Sequence, residues 1–131
     1  MAAYHGFFDG ASRHTQNLAS TTWVIYHPID ELIASGRMCL GPKNNNAIEY
    51  QATIGLMTEA LSNGIFHLTI RLDSQLVMSQ LNGIYSISDL ALLRLFRRIC
   101  LLERSLEFIR YYYVPRRFNI TLDSLAKFIL D

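Results

Sequence analysis

In this 131-residue chain Asp9 ends a short apolar strand, and three more carboxylates, Glu49, Asp73 and Asp123, stand where strand or loop passes into helix. Acids crowded at one place repel one another and shift toward protonation unless cations neutralise them. Hard oxygen donors with no histidine or cysteine beside them suit magnesium or manganese, not zinc. The chemistry in prospect is a divalent-metal site, provided the fold brings the four acids together.

Three of them also have a purely structural reading. Asn46 and Glu49 have the spacing of a capping box, Asp73 can cap a helix after a strand, and Asp123 falls in a first helical turn, where acids favour the helix dipole. Asp9 has no such alternative, because the residues after it are not helical in character. Strands disfavour Asp and Gly, so Asp9-Gly10 is expected to end the first strand and leave a carboxylate at the sheet's edge.

The elements that must position these residues follow from pattern. Tyr4 to Asp9 forms the central strand, Ser12 to Asn17 a turn, and Thr21 to Tyr26 and Leu32 to Leu40 two further strands in an antiparallel meander. Ala47, Tyr50, Ile54, Met57 and Leu61 recur at helical spacing from Asn46 onward, with Asn63-Gly64 as the stop. Ile65 to Leu72 is a fourth strand. A whole helix precedes it, so it can pair parallel to the first, which sets Asp9 and Asp73 at neighbouring carboxyl ends where open α/β sheets place their sites. A short helix from Asp73 to Leu81 ends at Asn82-Gly83. Ser88-Asp89 caps the next, with Leu92, Leu95, Phe96, Ile99 and Leu102 toward the core. Leu106 to Val114 is the fifth strand, and a last helix carries Asp123, Leu125, Ala126 and Ile129.

Length and composition suit one domain over residues 1–131, with a core that needs no disulfide. Cys39 and Cys100 form no metal or redox motif and are expected to be buried, inert thiols of a reducing compartment. No signal segment or membrane span is recognisable, so an intracellular protein without membrane partners is expected. Net charge is +1, but with four acids assigned to metal the remainder holds twelve basic against seven acidic groups. The bases are ten Arg and two Lys, a lean toward phosphate ligands. Arg94, Arg97, Arg98 and Arg104 lie on one helix, either as a solvated face or as a phosphate-contacting stripe. A monomer is expected, although the apolar content leaves room for a dimer.

Phe8-Asp9-Gly10-Ala11-Ser12, Asn45-Asn46-Ala47-Ile48-Glu49-Tyr50, Asp73-Ser74-Gln75-Leu76-Val77, Asn82-Gly83, Val114-Pro115-Arg116 with Asn119, and Asp123-Ser124-Leu125-Ala126 occur in order along the chain. Together they resemble the ribonuclease H family from about Tyr4 to Leu130, in its compact reverse-transcriptase-like branch common in plant genes and retroelements. The resemblance implies an α/β fold with a five-stranded mixed sheet flanked by helices, strands 1 to 3 antiparallel and strands 1, 4 and 5 parallel. It implies endonucleolytic cleavage of the RNA strand of an RNA/DNA hybrid, leaving 5′-phosphate and 3′-hydroxyl ends. Asp9, Glu49, Asp73 and Asp123 would hold two Mg2+ ions, or Mn2+ as substitute. Hybrid contacts would come from Gly10 and Ala11 by backbone, from Ser12, Asn44, Asn45, Asn46 and Ser74, and from Arg116 and Arg117.

Three departures from that branch matter. No glycine occurs between Thr15 and Trp23, no basic protrusion fits between Gly83 and Ser88, and the loop before Asp123 lacks a histidine. Two other readings remain: a nucleic-acid-binding or scaffolding domain that has lost turnover, and a related nuclease acting on branched DNA.

Overall fold

The computed structural model describes residues 3–13, 18–29, 31–40 and 45–115, with the side chains of 9–13, 18–20, 40 and 45 outside that description. Asn44, Arg116, Arg117, Asp123 and the expected last helix therefore lie outside the described residues. Three strands come first, β1 (Tyr4–Arg13), β2 (Leu18–Tyr26) and β3 (Leu32–Leu40). They are followed by α1 (Asn45–Ser62), β4 (His67–Leu72), α2 (Gln75–Leu81), α3 (Leu90–Glu103) and β5 (Phe108–Tyr113).

The sheet has the order β3-β2-β1-β4-β5. Both meander pairs are antiparallel, and β1–β4 and β4–β5 are parallel. This is the expected mixed sheet. Parallel neighbours need a long crossover, and α1 supplies the one from β3 to β4.

One expectation fails at β1. Asp9 does not end the strand, because its backbone pairs with Thr22 and the ladder continues to Arg13 opposite Leu18. What ends is the pairing on the other side, where the last β1–β4 partners are Phe7 and Arg71. The hairpin with β2 holds β1 extended past the point where β4 stops, overriding the poor strand propensity of Asp and Gly. Asp9 thus lies in the part of β1 that has lost one neighbour, and Ser12 and Arg13 belong to the strand.

The core lies between the sheet and α1. The helix buries Ile48, Tyr50, Ala52, Ile54, Leu56, Met57 and Ala60, more than the single predicted stripe, because the sheet covers one side and α3 another. Close approach is made possible by missing side chains. A Cβ on Gly6 of β1 would stand 2.7 Å from Leu56, and one on Gly55 of α1 would stand 2.7 Å from the Trp23 ring. Gly36 of β3 would meet the same ring at 2.6 Å. Trp23 is therefore clasped between a helix and the edge strand. On the opposite sheet face Phe7, Val24 and Tyr26 form a smaller buried cluster, with the Arg71 guanidinium 5.3 Å from the Phe7 ring centre.

Both Asn-Gly stops work as expected. Gly64 (φ 72°) and Gly83 (φ 76°) adopt the left-handed conformation that glycine accepts without a Cβ penalty. After α1, Ile65 N–H reaches Ala60 O at 2.9 Å and Gly64 N–H reaches Leu61 O at 3.1 Å. After α2, Ile84 N–H reaches Ser79 O at 2.8 Å and Gly83 N–H reaches Gln80 O at 3.0 Å. Each pair of bonds makes a Schellman cap. The connection from α2 to α3 contains no protrusion, and it leaves Ile84 and Tyr85 exposed.

The cysteine expectation is corrected. Cys39 is exposed on the edge strand and Cys100 is half-buried, and neither forms a disulfide. Their positions follow from strand alternation at β3 and from Cys100 flanking the core stripe of α3.

Candidate active site

At the carboxyl end of β4 the structure brings together two of the expected acids, Glu49 and Asp73, and among the described residues no third joins them. Asp73 follows the last residue of β4. Carrying the β1–β4 register two residues beyond Phe7 and Arg71 sets the backbone of Asp9 level with Asp73. Glu49 approaches from the first turns of α1, near enough for Asp73 and Ser74 to act on its carboxyl.

The structural readings of Glu49 and Asp73 do not survive. α1 begins at Asn45, so Asn46 lies inside the helix and does not cap it. The cap of α2 is Ser74, whose Oγ accepts the Val77 N–H at 3.2 Å. Asp73 stands one residue too early for that role. Serine and aspartate are comparable caps, and the backbone geometry after β4 selects between them. At α3 the expectation holds, since Asp89 Oδ1 accepts the Leu92 N–H at 3.0 Å.

The pair is electrostatically tense. Burial, followed by the neighbouring Asp73 carboxylate, pushes the Glu49 carboxyl from the ordinary 4.5 up to about 8, while the Ser74 hydroxyl acts the other way. Among the described residues Glu49 Oε2 is buried without a hydrogen-bond partner. A buried carboxylate oxygen with an acidic neighbour and no donor is a suitable ligand for a hard divalent cation, which would relieve both the repulsion and the unmet bond. On this ground the residues present fit such a cation.

Residue types alone did not disclose what supports the pair. Tyr50, next to Glu49, is fully buried and donates its hydroxyl to Gln80 Oε1 at 2.6 Å. Burial, with Glu49 close by, pushes that phenol up to about 12, so it remains a donor at neutral pH. The sequence reading placed the cap of α2 at Asp73, one residue before Ser74, and nothing local pointed to Gln80.

The sequence-predicted hybrid contacts are less gathered. Gly10, Ala11 and Ser12 continue β1, and Asn45 and Asn46 form the start of α1, so all five stand on elements that lead to the acidic edge. Ser74 Oγ accepts the Val77 N–H, and the hydroxyl favours the ionised form of Glu49. Arg94, Arg97 and Arg98 are exposed on α3, and Arg104 is exposed at its C-cap. His67 lies at the opposite end of β4, 3.3 Å from Glu107, and has no part in the site.

Residues 7–129 match the reverse transcriptase-like family. A crystal structure of RNase H1 from Halobacterium salinarum superposes with a TM-score of 0.85 at 34% identity, covering 99% of this chain and 98% of that one. The chain belongs to the ribonuclease H family. Among curated ribonuclease H relatives it is 35% identical to ribonuclease HI of Halobacterium salinarum over 97% of its own length and 64% of that protein. It is also 29% identical to the bifunctional protein Rv2228c of Mycobacterium tuberculosis, over 94% of this chain and 34% of that one. The chain thus spans less than two thirds of either relative. The family's sheet order and helices agree with the fold described above. Among the described residues, no helix is long and apolar enough to cross a membrane.

Proposed function

We propose that this domain is a divalent-metal-dependent endonuclease that hydrolyses the RNA strand of RNA/DNA hybrids, leaving 5′-phosphate and 3′-hydroxyl ends. The observation that carries the reading is the closeness of Glu49 to Asp73, with a buried Glu49 oxygen that has no donor among the described residues. Membership of the ribonuclease H family and the curated name of the Halobacterium relative support the substrate class.

Asp9, Glu49, Asp73 and Asp123 are the residues that would hold two Mg2+ ions, or Mn2+ in their place. Bound there, such ions activate water and neutralise charge on the leaving 3′-oxygen. The protein's part is to fix the acids. β1 and β4 carry Asp9 and Asp73 on neighbouring parallel strands, α1 lowers Glu49 toward Asp73, and Ser74 steadies the ionised form of Glu49.

Recognition of hybrid must ignore base sequence. Contacts to 2′-hydroxyls in a shallow minor groove identify the RNA strand, and phosphate contacts position its partner. Gly10, Ala11, Ser12 and Asn45 are assigned to the first task. Asn44, Asn46, Arg116 and Arg117 are assigned to the second. Ser74 is kept among the hybrid contacts and also favours the ionised form of Glu49.

Cleavage of end-labelled hybrid with Mg2+ and then Mn2+ tests the reading, with Asp73→Asn as the contamination control. Cutting confined to the RNA strand and lost in the variant supports it. Binding of hybrid without cutting under either ion assigns the domain to the non-catalytic class. Equal cutting of hybrid and of a four-way DNA junction assigns it to branched DNA.

A further inference from the structure

α1 grips α2 at both ends with consecutive residues. Glu49 meets Asp73 and Ser74 at the start of α2, and Tyr50 reaches Gln80 in its last turn. The two anchor points are separated by the length of α2, roughly 10 Å at 1.5 Å per residue. A seven-residue helix has little stability of its own, so its placement depends on tertiary contacts. At the Gln80 end the backbone is also tied down, because Gln80 O accepts the Gly83 N–H of the Schellman cap.

We propose that the Tyr50–Gln80 hydrogen bond is the positioning device of the metal site, holding α2 so that Asp73 stays within ligand distance of Glu49 before a cation arrives. The inference rests on the assignment of Glu49 and Asp73 as metal ligands. Asp73 is joined to the seven-residue α2 through Ser74, and α2 could shift by pivoting about that junction. The bond at the far end opposes that pivot. It is well placed to do so, since Tyr50 is fully buried and Gln80 is 7% exposed, so water cannot readily replace either partner. Neither burial nor helix formation requires the bond, because replacing both partners of a buried hydrogen bond by apolar groups of similar shape can be nearly neutral for stability. Neither side chain is a catalytic residue.

The test is direct Mn2+ binding by titration calorimetry on the full chain carrying Tyr50→Phe together with Gln80→Met, with thermal melting alongside. The expected result is a melting temperature close to that of the unaltered chain and Mn2+ affinity lower by roughly ten-fold, the low end of the loss seen when groups supporting metal ligands are removed. In cleavage assays the Mg2+ concentration for half-maximal rate rises while KM for hybrid stays constant. Tyr50→Phe alone, which deletes one hydroxyl, must lower Mn2+ affinity in the same direction, and it decides the matter should the double variant not fold. Tyr111→Phe is the control. It removes another buried hydroxyl, bonded to Glu103 at 2.7 Å on the β5–α3 side, and should leave Mn2+ affinity unchanged. Unchanged affinity in both Tyr50 variants, or an equal loss in Tyr111→Phe, overturns the proposal alone. An unaltered chain that binds no Mn2+, or binds it no better than Asp73→Asn does, overturns the carboxylate site and the proposal together.

Discussion

Glu49 of α1 stands close enough to Asp73, just past β4, for the Asp73 carboxylate to act on it, and one oxygen of Glu49 is buried with no donor among the described residues. Two acids in this relation favour either a proton or a cation between them. Which of the two is present governs both stability and activity.

In the metal-free protein the proton should dominate near neutral pH. A carboxyl raised from 4.5 to about 8 in the fold contributes stability that is fully present below about 4.5 and is lost as pH rises through about 8. Urea unfolding in the presence of a chelator should therefore show stability falling from pH 5 to pH 9. Glu49→Gln should flatten that slope, as should saturating Mg2+. An equally steep slope in the variant assigns the pH dependence to other groups.

Asp73→Asn should abolish cleavage without unfolding the domain. Ser74 caps α2, so the substitution costs no cap and removes the negative neighbour of Glu49. Circular dichroism should be unaltered and metal-free stability equal or higher. A loss of helical signal would return Asp73 to a structural role.

Ser74→Ala and Asp89→Ala each remove an N-cap and should cost about 1 kcal/mol. Ser74 also favours the ionised form of Glu49, which matters only once Glu49 ionises. Without metal, Ser74→Ala should therefore cost more at pH 9 than at pH 5, while the cost of Asp89→Ala stays constant. Denaturant midpoints at the two pH values separate the cases.

Added methyl groups should discriminate between rigid and yielding neighbours. Gly36→Ala meets the Trp23 indole at 2.6 Å, and a planar ring between two elements cannot step aside, so a loss of about 1–3 kcal/mol is expected. Gly6→Ala meets the Leu56 methyl groups at 2.7 and 2.9 Å, which a change of rotamer can relieve in part. It should cost less. Equal losses would show that the Leu56 side chain is as immobile as the ring.

Replacing Arg116 and Arg117 together by Ala should weaken hybrid binding and reduce its logarithmic salt slope by roughly two, if each neutralises one phosphate. An unchanged slope places both side chains in solvent.

The sequence by itself determined the elements and their order, because the signals involved are local. β-branched and aromatic runs mark the strands, the spacing from Ala47 to Leu61 marks α1, and two Asn-Gly pairs end helices where glycine must take a left-handed backbone. The motif series in chain order was also enough to indicate the family and its sheet.

Tertiary structure alone decided three things about the site. β1 runs past Asp9 because a hairpin partner holds it, so a residue poor in strand propensity lies within the strand. Ser74 caps α2 and frees Asp73, a choice set by how the chain leaves β4. Glu49 meets Asp73, and Tyr50 meets Gln80 thirty residues away, only after α1 has packed across the sheet. Such contacts depend on residues distant in the chain, and neither periodicity nor propensity encodes them.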